Sequence, residues 1–267
     1  MTPCGRVKTR LYKKEGSVIR KILCAVFFFI IFSGATTPIK VVYFTTLEWP
    51  PYTGEELPEQ GASVVVAKAA FAAMGYTLDV SFFPWQRAVY TARNDKKYSG
   101  YFPEYYATDI TEEFIFSDPM GEGPLGFIEP IQKPVIWKHL SDLHGLRIGT
   151  VSGYVNTSEF DQKAGRDELW VEPVVDDITN IKKLLVKRID IAVMDKYVFE
   201  YLVNTDRSVT QGKKELQFNK KILENKKLYM CFRKDDRGEE LVKIFNEGLK
   251  KLNYRKIQND YFDKSLK

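Results

Sequence analysis

Strand-like and helix-like runs alternate along this chain, in two rounds separated by a proline-flanked connection at Glu129-Pro130-Ile131-Gln132-Lys133-Pro134. In the first round, Lys40-Val41-Val42-Tyr43-Phe44-Thr45 is β-rich and ends at the breaker-dense loop Glu48-Trp49-Pro50-Pro51-Tyr52-Thr53-Gly54. Residues 61–75 are Ala-rich, with Val65, Ala69, Ala72 and Ala73 spaced to share one helical face. Thr77–Phe83 is the next predicted strand, and Pro84 suits the first turn of a helix carrying Trp85, Gln86, Arg87, Ala88 and Val89. Short apolar runs recur near 99–103, 114–117 and 125–129. In the second round, Leu146–Val151 is a predicted strand, with Ser152-Gly153-Tyr154 expected at a helix start. Trp170–Val174 is another, and Asp176-Asp177 cap a helix through Ile178, Ile181, Leu184 and Leu185. Ile189–Met194 is almost continuously apolar, as suits a strand covered on both faces, and Asp195 opens the helix after it. A strand at 227–233 and amphipathic helices over 237–251 and 254–264 complete the pattern. Two rounds of this kind predict an α/β protein of two lobes with a crossover near the connection.

The 267 residues include 40 Lys and Arg against 35 Asp and Glu, a formal net charge of +5. Such a balance invites a nucleic-acid or anionic-membrane reading. The location of the charges withdraws it. Seven of the cations and only one anion, Glu15, fall within residues 1–35. There a basic stretch is followed by the eleven apolar residues Ile22–Phe32 and then by Ser33, Gly34 and Ala35. That order describes a secretory signal peptide cleaved after Ala35. The apolar run is about half of the ~20 residues that span a bilayer; an uncleaved anchor is the alternative, because the basic region is long. Without residues 1–35, 33 cations face 34 anions, a net charge of −1, and Cys231 is the one remaining cysteine. No internal disulfide can then form, which fits the periplasm, and Cys231 in Leu228–Phe232 suits a small buried hydrophobe.

Six segments carry a resemblance: F-F-P-W-Q-R-A at 82–88, P-E-Y-Y at 103–106, F-S-D-P-M-G-E-G-P-L-G-F at 116–127, S-D-L-H-G-L-R-I-G-T at 141–150, R-I-D-I-A-V-M-D at 188–195 and F-N-E-G-L at 245–249. In this order they resemble bacterial extracellular solute-binding proteins of family 3, which are similar to the substrate-binding components of polar amino acid ABC transporters. The resemblance runs over essentially the whole chain after residue 35. It implies a type II periplasmic-binding-protein-like α/β fold of two lobes joined by two crossover strands. Lobe 1 would be 38–129 plus 230–267 and lobe 2 would be 130–229, closing by a hinge on a small molecule. It further implies a periplasmic monomer that binds a small polar or amino-acid-like solute without a cofactor, contacts an inner-membrane ABC permease and takes no nucleic acid. A ligand-sensing module without transport and a dehydratase-type lyase are the other functions open to this fold.

Capturing a small polar solute requires convergent polar groups in a mostly apolar cleft, at the ends of strands. Asp195 matches the family's acidic residue for a ligand α-ammonium; a helix cap is its other role. Ser152, Gly153 and Tyr154 offer backbone N–H groups for an anion, although Ser152 can also serve only as a cap. Arg87 suits a carboxylate, with Trp85 beside it, or else stacks on Trp85 at a surface. The rings of Trp49, Tyr52, Tyr105 and Tyr106 are expected in loops, either around a ligand or packed between lobes. Glu104 pairs with Arg87 in the lyase reading, as general acid beside a carboxylate-binding group. One departure stands out. Amino-acid binders of the family carry an Arg shortly before F-S-D that clamps the α-carboxylate; Ile110 stands there, and no Arg occurs between Arg93 and Arg147. His139 and His144 read as a surface loop and make a poor metal site. No hydrolase elbow, Walker A, H-E-x-x-H or dinucleotide fingerprint occurs, and Gly121-Glu122-Gly123 is too sparse to cradle phosphate.

Overall fold

Between Lys40 and Ser265, the residues described by the computed structural model, ten strands and eight α-helices follow one another. The signal peptide expected over 1–35 lies outside the described residues. The strands are β1 (Lys40–Thr46), β2 (Tyr76–Phe82), β3 (Gly100–Tyr105), β4 (Phe114–Phe116), β5 (Gly121–Pro130), β6 (Arg147–Val151), β7 (Trp170–Val174), β8 (Ile191–Asp195), β9 (Leu216–Phe218) and β10 (Glu224–Arg233). The helices are α1 (Ala62–Ala72), α2 (Trp85–Asn94), α3 (Ser158–Gly165), α4 (Asp177–Leu185), α5 (Lys196–Thr205), α6 (Gly212–Glu215), α7 (Asp236–Lys250) and α8 (Tyr254–Ser265).

One sheet runs in the order β2-β1-β3-β10-β5-β8-β6-β7, with β4 added on β10 and β9 on β5. β1, β2 and β3 pair in parallel, as do β6, β7 and β8, because helices carry the chain back between them. The antiparallel centre is made by two long strands that each serve both lobes. β10 pairs with β3 through Leu228–Phe232 and with β5 through Glu224–Leu228. β5 pairs with β10 through Gly121–Leu125 and with β8 through Leu125–Ile128. This is the two-lobe α/β arrangement expected, except that the crossing is made inside β5 and not in the Glu129–Pro134 connection.

Each lobe has its own core. In the first, Phe44, Phe71, Phe102, Phe232 and Phe245 are fully buried, and the Phe44 and Phe232 rings meet edge-on at 5.2 Å. β1 explains the choice: Val42 and Phe44 alternate toward α1 and α7, while Thr45 on the other face donates to the Ala88 carbonyl of α2 at 2.8 Å. The second core gathers Phe127, Ile148, Phe160, Ile181, Leu184 and Ile191. The helix at 62–72 buries Val64, Val66, Ala67, Ala70 and Phe71, and Ala72 is exposed, so the face expected from Val65, Ala69, Ala72 and Ala73 is corrected. An Ala/Val-rich helix has too little polar contrast for spacing to pick its inner side. Gly100 is required where β3 meets β10, because a Cβ there would lie 1.9 Å from the Cys231 carbonyl oxygen. Phe232→Ala is expected to lower stability by about 3–5 kcal/mol, read as a lower urea midpoint at unchanged m-value.

Candidate functional site

The ends of β1, β3 and β6 converge on a small cavity between the lobes. Trp49 reaches it from the loop after β1, where the Trp49 N–H donates to the Thr53 carbonyl at 2.8 Å and closes the turn. Trp85 comes from the first position of α2, Glu104 and Tyr105 from the end of β3, and Tyr154 from the turn after β6. The rings stand nearly at right angles. Trp49 meets Tyr105 at 6.0 Å and 81° and Tyr154 at 6.4 Å and 81°, while Trp85 meets Tyr154 at 5.7 Å and 89°. Edge-to-face contacts are the favoured geometry for aromatic quadrupoles. The lobes also touch through a hydrogen bond from Trp85 Nε1 to the Gly153 carbonyl at 2.8 Å.

Glu104 is only 5% exposed. Its Oε1 accepts from the Tyr105 N–H at 2.8 Å and its Oε2 from the Tyr101 hydroxyl at 3.2 Å. Burial pushes its pKa up to about 8, against the opposing pull of these donors and of Lys226. Lys226 gave no signal in the sequence because a lysine on a strand edge usually faces water. Here the strand β10 buries its stem, sets Nζ 5.2 Å from the Tyr105 ring centre and leaves Glu224 at 3.7 Å as its partner.

Asp195 ends β8 and caps α5: Oδ1 accepts from the Tyr197 and Val198 N–H groups at 2.8 and 3.2 Å, and Oδ2 accepts from the Tyr52 hydroxyl at 3.1 Å. Its carboxylate lines no wall of the ring-bounded cavity, so the cap is the role its geometry fills. Tyr52 is wholly buried, stacked on Trp49 at 4.5 Å, and acts behind the cavity wall. Gly123 makes room for both: a Cβ would sit 2.0 Å from the Tyr52 hydroxyl and 2.2 Å from Asp195 Oδ2. That close approach is the structural reason for one glycine of Gly121-Glu122-Gly123. Asp177, at the start of α4, is a third buried acid that the sequence reading took only as part of a cap. Its pKa rises to about 7 through burial and then through the charges of Asp195 and Asp176. It lines a neighbouring cavity with Trp49, Tyr154 and Asp176.

Other expectations need correction. Ser152-Gly153-Tyr154 form a turn and not a helix start; α3 begins at Ser158 with Thr157 as its cap. The Ser152 and Tyr154 N–H groups are already donated to the Val174 and Val151 carbonyls, so no anion cradle is open there. Gly153, at a φ of +79°, instead turns its carbonyl to Trp85. Arg87 is exposed on α2 and packs over the Phe83 ring at 5.2 Å, away from the cavity that Trp85 and Glu104 line. Tyr105 ends a strand and not a loop, and Tyr106 is 51% exposed against Phe116. Ile110 lines a second cavity beside Trp85 and Glu104; the one arginine there, Arg93, is paired with Glu113. The described residues contain no cluster of His, Cys, Asp and Glu able to hold a metal ion.

Compared by sequence, the chain matches no family model and no curated relative. Compared by structure, it is similar to the GluR0 ligand-binding core from Nostoc punctiforme in complex with L-glutamate, at 18% identity and a TM-score of 0.66 over 84% of this chain and 98% of that one. It is also similar to an amino acid ABC transporter substrate-binding protein from Streptococcus pneumoniae bound to L-arginine (17%, TM-score 0.67, 85% and 93%). A histidine kinase sensor domain with similarity to periplasmic binding proteins aligns at 17% identity and a TM-score of 0.69, over 85% and 96%. The fold is that of the type II periplasmic binding proteins, the fold of the solute-binding proteins that the sequence resembles.

Glu104, Asp177 and Asp195 all titrate higher in the folded protein than their ordinary values of 4.5, 3.8 and 3.8. The folded state therefore keeps protons that the unfolded chain releases, and stability falls as pH rises. The expected Tm of the ligand-free protein declines from about pH 5 toward pH 8, and Glu104→Gln flattens the upper part of that decline. A Tm that rises over this window would contradict the assignment. Asp195→Ala should cost about 1–2 kcal/mol through the lost cap, with a further loss from the unpartnered Tyr52 hydroxyl. Asp195→Asn, which can still cap, should lose less in the same chemical denaturation.

Proposed function

We propose that this chain is a periplasmic solute-binding protein, exported by a signal peptide over 1–35, which closes its lobes on a small polar or amino-acid-like molecule and delivers it to an inner-membrane ABC permease. The observation that carries this reading is the ring-walled cavity around the buried Glu104, shared between lobes that meet through Trp85 and Gly153. The resemblance puts lobe 1 at 38–129 plus 230–267 and lobe 2 at 130–229; with the crossing inside β5, the division falls nearer Leu125, and β5 and β10 are the pair of strands about which the lobes rotate. A ligand-sensing module is the second reading, supported by the likeness to a histidine kinase sensor domain and to the GluR0 ligand-binding core. The lyase reading needs Glu104 and Arg87 on one ligand, and Arg87 lies outside the cavity.

The test is a thermal-shift screen of refolded protein against amino acids, amines, sugars and organic anions. A solute at 100 times its Kd stabilises the closed protein by about 2.7 kcal/mol and raises Tm. If no solute in the panel shifts Tm, the reading fails. For the solute so found, Trp85→Phe should weaken binding about fivefold, because it removes one interlobe hydrogen bond worth roughly 1 kcal/mol and keeps the ring. Unchanged affinity would take that bond out of the closing mechanism.

A further inference from the structure

Three features of the cavity bear on the charge of its occupant. First, its lining is aromatic: Trp49, Trp85, Tyr105 and Tyr154 border it, with neighbouring rings at close to right angles to one another. Second, the lining contains one carboxyl group, Glu104, and no Arg, Lys or His. Two cations lie close by but outside the lining, and Lys226 is near enough to oppose the upward shift of Glu104. Arg93 is paired with Glu113 in the adjoining cavity, and Lys226 lies over the Tyr105 ring with Glu224 as its partner. Third, the Tyr105 hydroxyl is fully buried without a hydrogen-bond partner among the described residues, on a side chain only 6% exposed that lines the cavity. A buried hydroxyl left in that condition costs free energy unless an occupant satisfies it.

We propose that the occupant is a small organic cation that carries no carboxylate, a protonated alkylamine or quaternary ammonium ion, boxed by Trp49, Trp85, Tyr105 and Tyr154 with Glu104 as its counter-charge. The inference rests on the solute-binding reading above and narrows its ligand class. Ring faces attract a desolvated cation, and more rings around it multiply the attraction. Glu104 supplies the opposite charge at the floor, and an ammonium N–H or a ligand hydroxyl can meet the free Tyr105 oxygen. An α-amino acid or a zwitterion would bring a carboxylate into the same walls. There it would face Glu104 and the aromatic lining, with no cationic side chain in that lining to take it. The two further acids behind the wall, Asp177 and Asp195, act on Tyr105 with the same sign of charge and deepen the preference.

The experiment is isothermal titration of the refolded protein at pH 8 with choline, tetramethylammonium and putrescine. Three contrast probes accompany them: the uncharged choline isostere 3,3-dimethylbutanol, the zwitterion glycine betaine, and L-glutamate. At least one of the cations is expected to bind saturably. Choline should bind at least tenfold more tightly than its isostere and than glycine betaine. Glu104→Gln should weaken the bound cation at least tenfold. Tyr154→Leu should weaken it at least fivefold while Tyr154→Phe leaves it within twofold, because the ring and not the hydroxyl is used. The tyrosine pair keeps the test decisive if Glu104→Gln fails to fold. Tighter binding of L-glutamate or glycine betaine than of every cation would overturn the cation assignment and leave the solute-binding reading standing. Failure of all these probes and of the wider solute panel would overturn both.

Discussion

Everything at the cleft depends on β5 and β10 lying side by side in opposite directions. A parallel α/β lobe closes its own hydrogen bonds and has no need of a second lobe. Here the last strand of each lobe's sheet is borrowed: β10 completes the first sheet beside β3, and β5 completes the second beside β8. The short stretch where they pair with each other, Glu224–Leu228 against Gly121–Leu125, is then the sheet between the lobes. It places the end of β3, with Glu104 and Tyr105, opposite the turn after β6, with Tyr154. The same stretch delivers Lys226 to the back of the Tyr105 ring.

Burial, more than pairing, sets the electrostatics of this region. Glu104, Asp177 and Asp195 each titrate high mainly because water is excluded from them, and none faces a bonded cation. Their partners are N–H and O–H dipoles, which hold a carboxylate's position without neutralising it. Acids in such surroundings store a preference for positive charge that a salt bridge would have spent inside the fold. The contrast within the same chain is Asp190, whose carboxylate takes the Arg147 guanidinium at 3.0 Å and is held below its ordinary value. That pair joins β6 to the approach of β8 and offers nothing to a ligand.

Much of the architecture is legible in the sequence because strand and helix periods are strong wherever one face is buried and the other is wet. β1, β7, β8, α4, α7 and α8 fall where the pattern put them, within a few residues. The helix at 62–72 is where the signal fails in detail, since its small apolar residues run almost all the way round. The turn at 152–154 fails for a different reason. A Gly after a strand starts a helix in many α/β units, but Gly153 adopts a positive φ and its carbonyl is taken by Trp85, a residue 68 positions away. Site residues divide in the same way. Trp49, Trp85, Glu104, Tyr105 and Tyr154 were marked by residue type and by position at strand or helix ends, and the fold brings all five together. Arg87 is marked by type and by its place near a helix start, but the helix turns it to solvent. Lys226 and the exclusion of a side chain at Gly123 depend on register between strands distant in sequence, which no local pattern encodes.

The lobes are held together by a few hydrogen bonds and ring contacts. The interlobe hydrogen bonds from Trp85 Nε1 to the Gly153 carbonyl and from the Tyr52 hydroxyl to Asp195 contribute about 1 kcal/mol net each, and the edge contacts of Tyr154 with Trp49 and Trp85 about 0.5–1.5 kcal/mol each. Against these stand the ordering of the rings and the desolvation of Glu104, and on the proposed reading a bound solute decides between an open and a closed arrangement. A ligand shifts that balance only through contacts it makes better in the closed form. Ring faces drawn from both lobes have this property by construction, because Tyr154 reaches the Trp49 and Trp85 walls only when the lobes meet. A carboxyl group on one lobe alone does not have it. On the proposed reading, Glu104 selects the charge of the solute, while the rings convert its presence into closure.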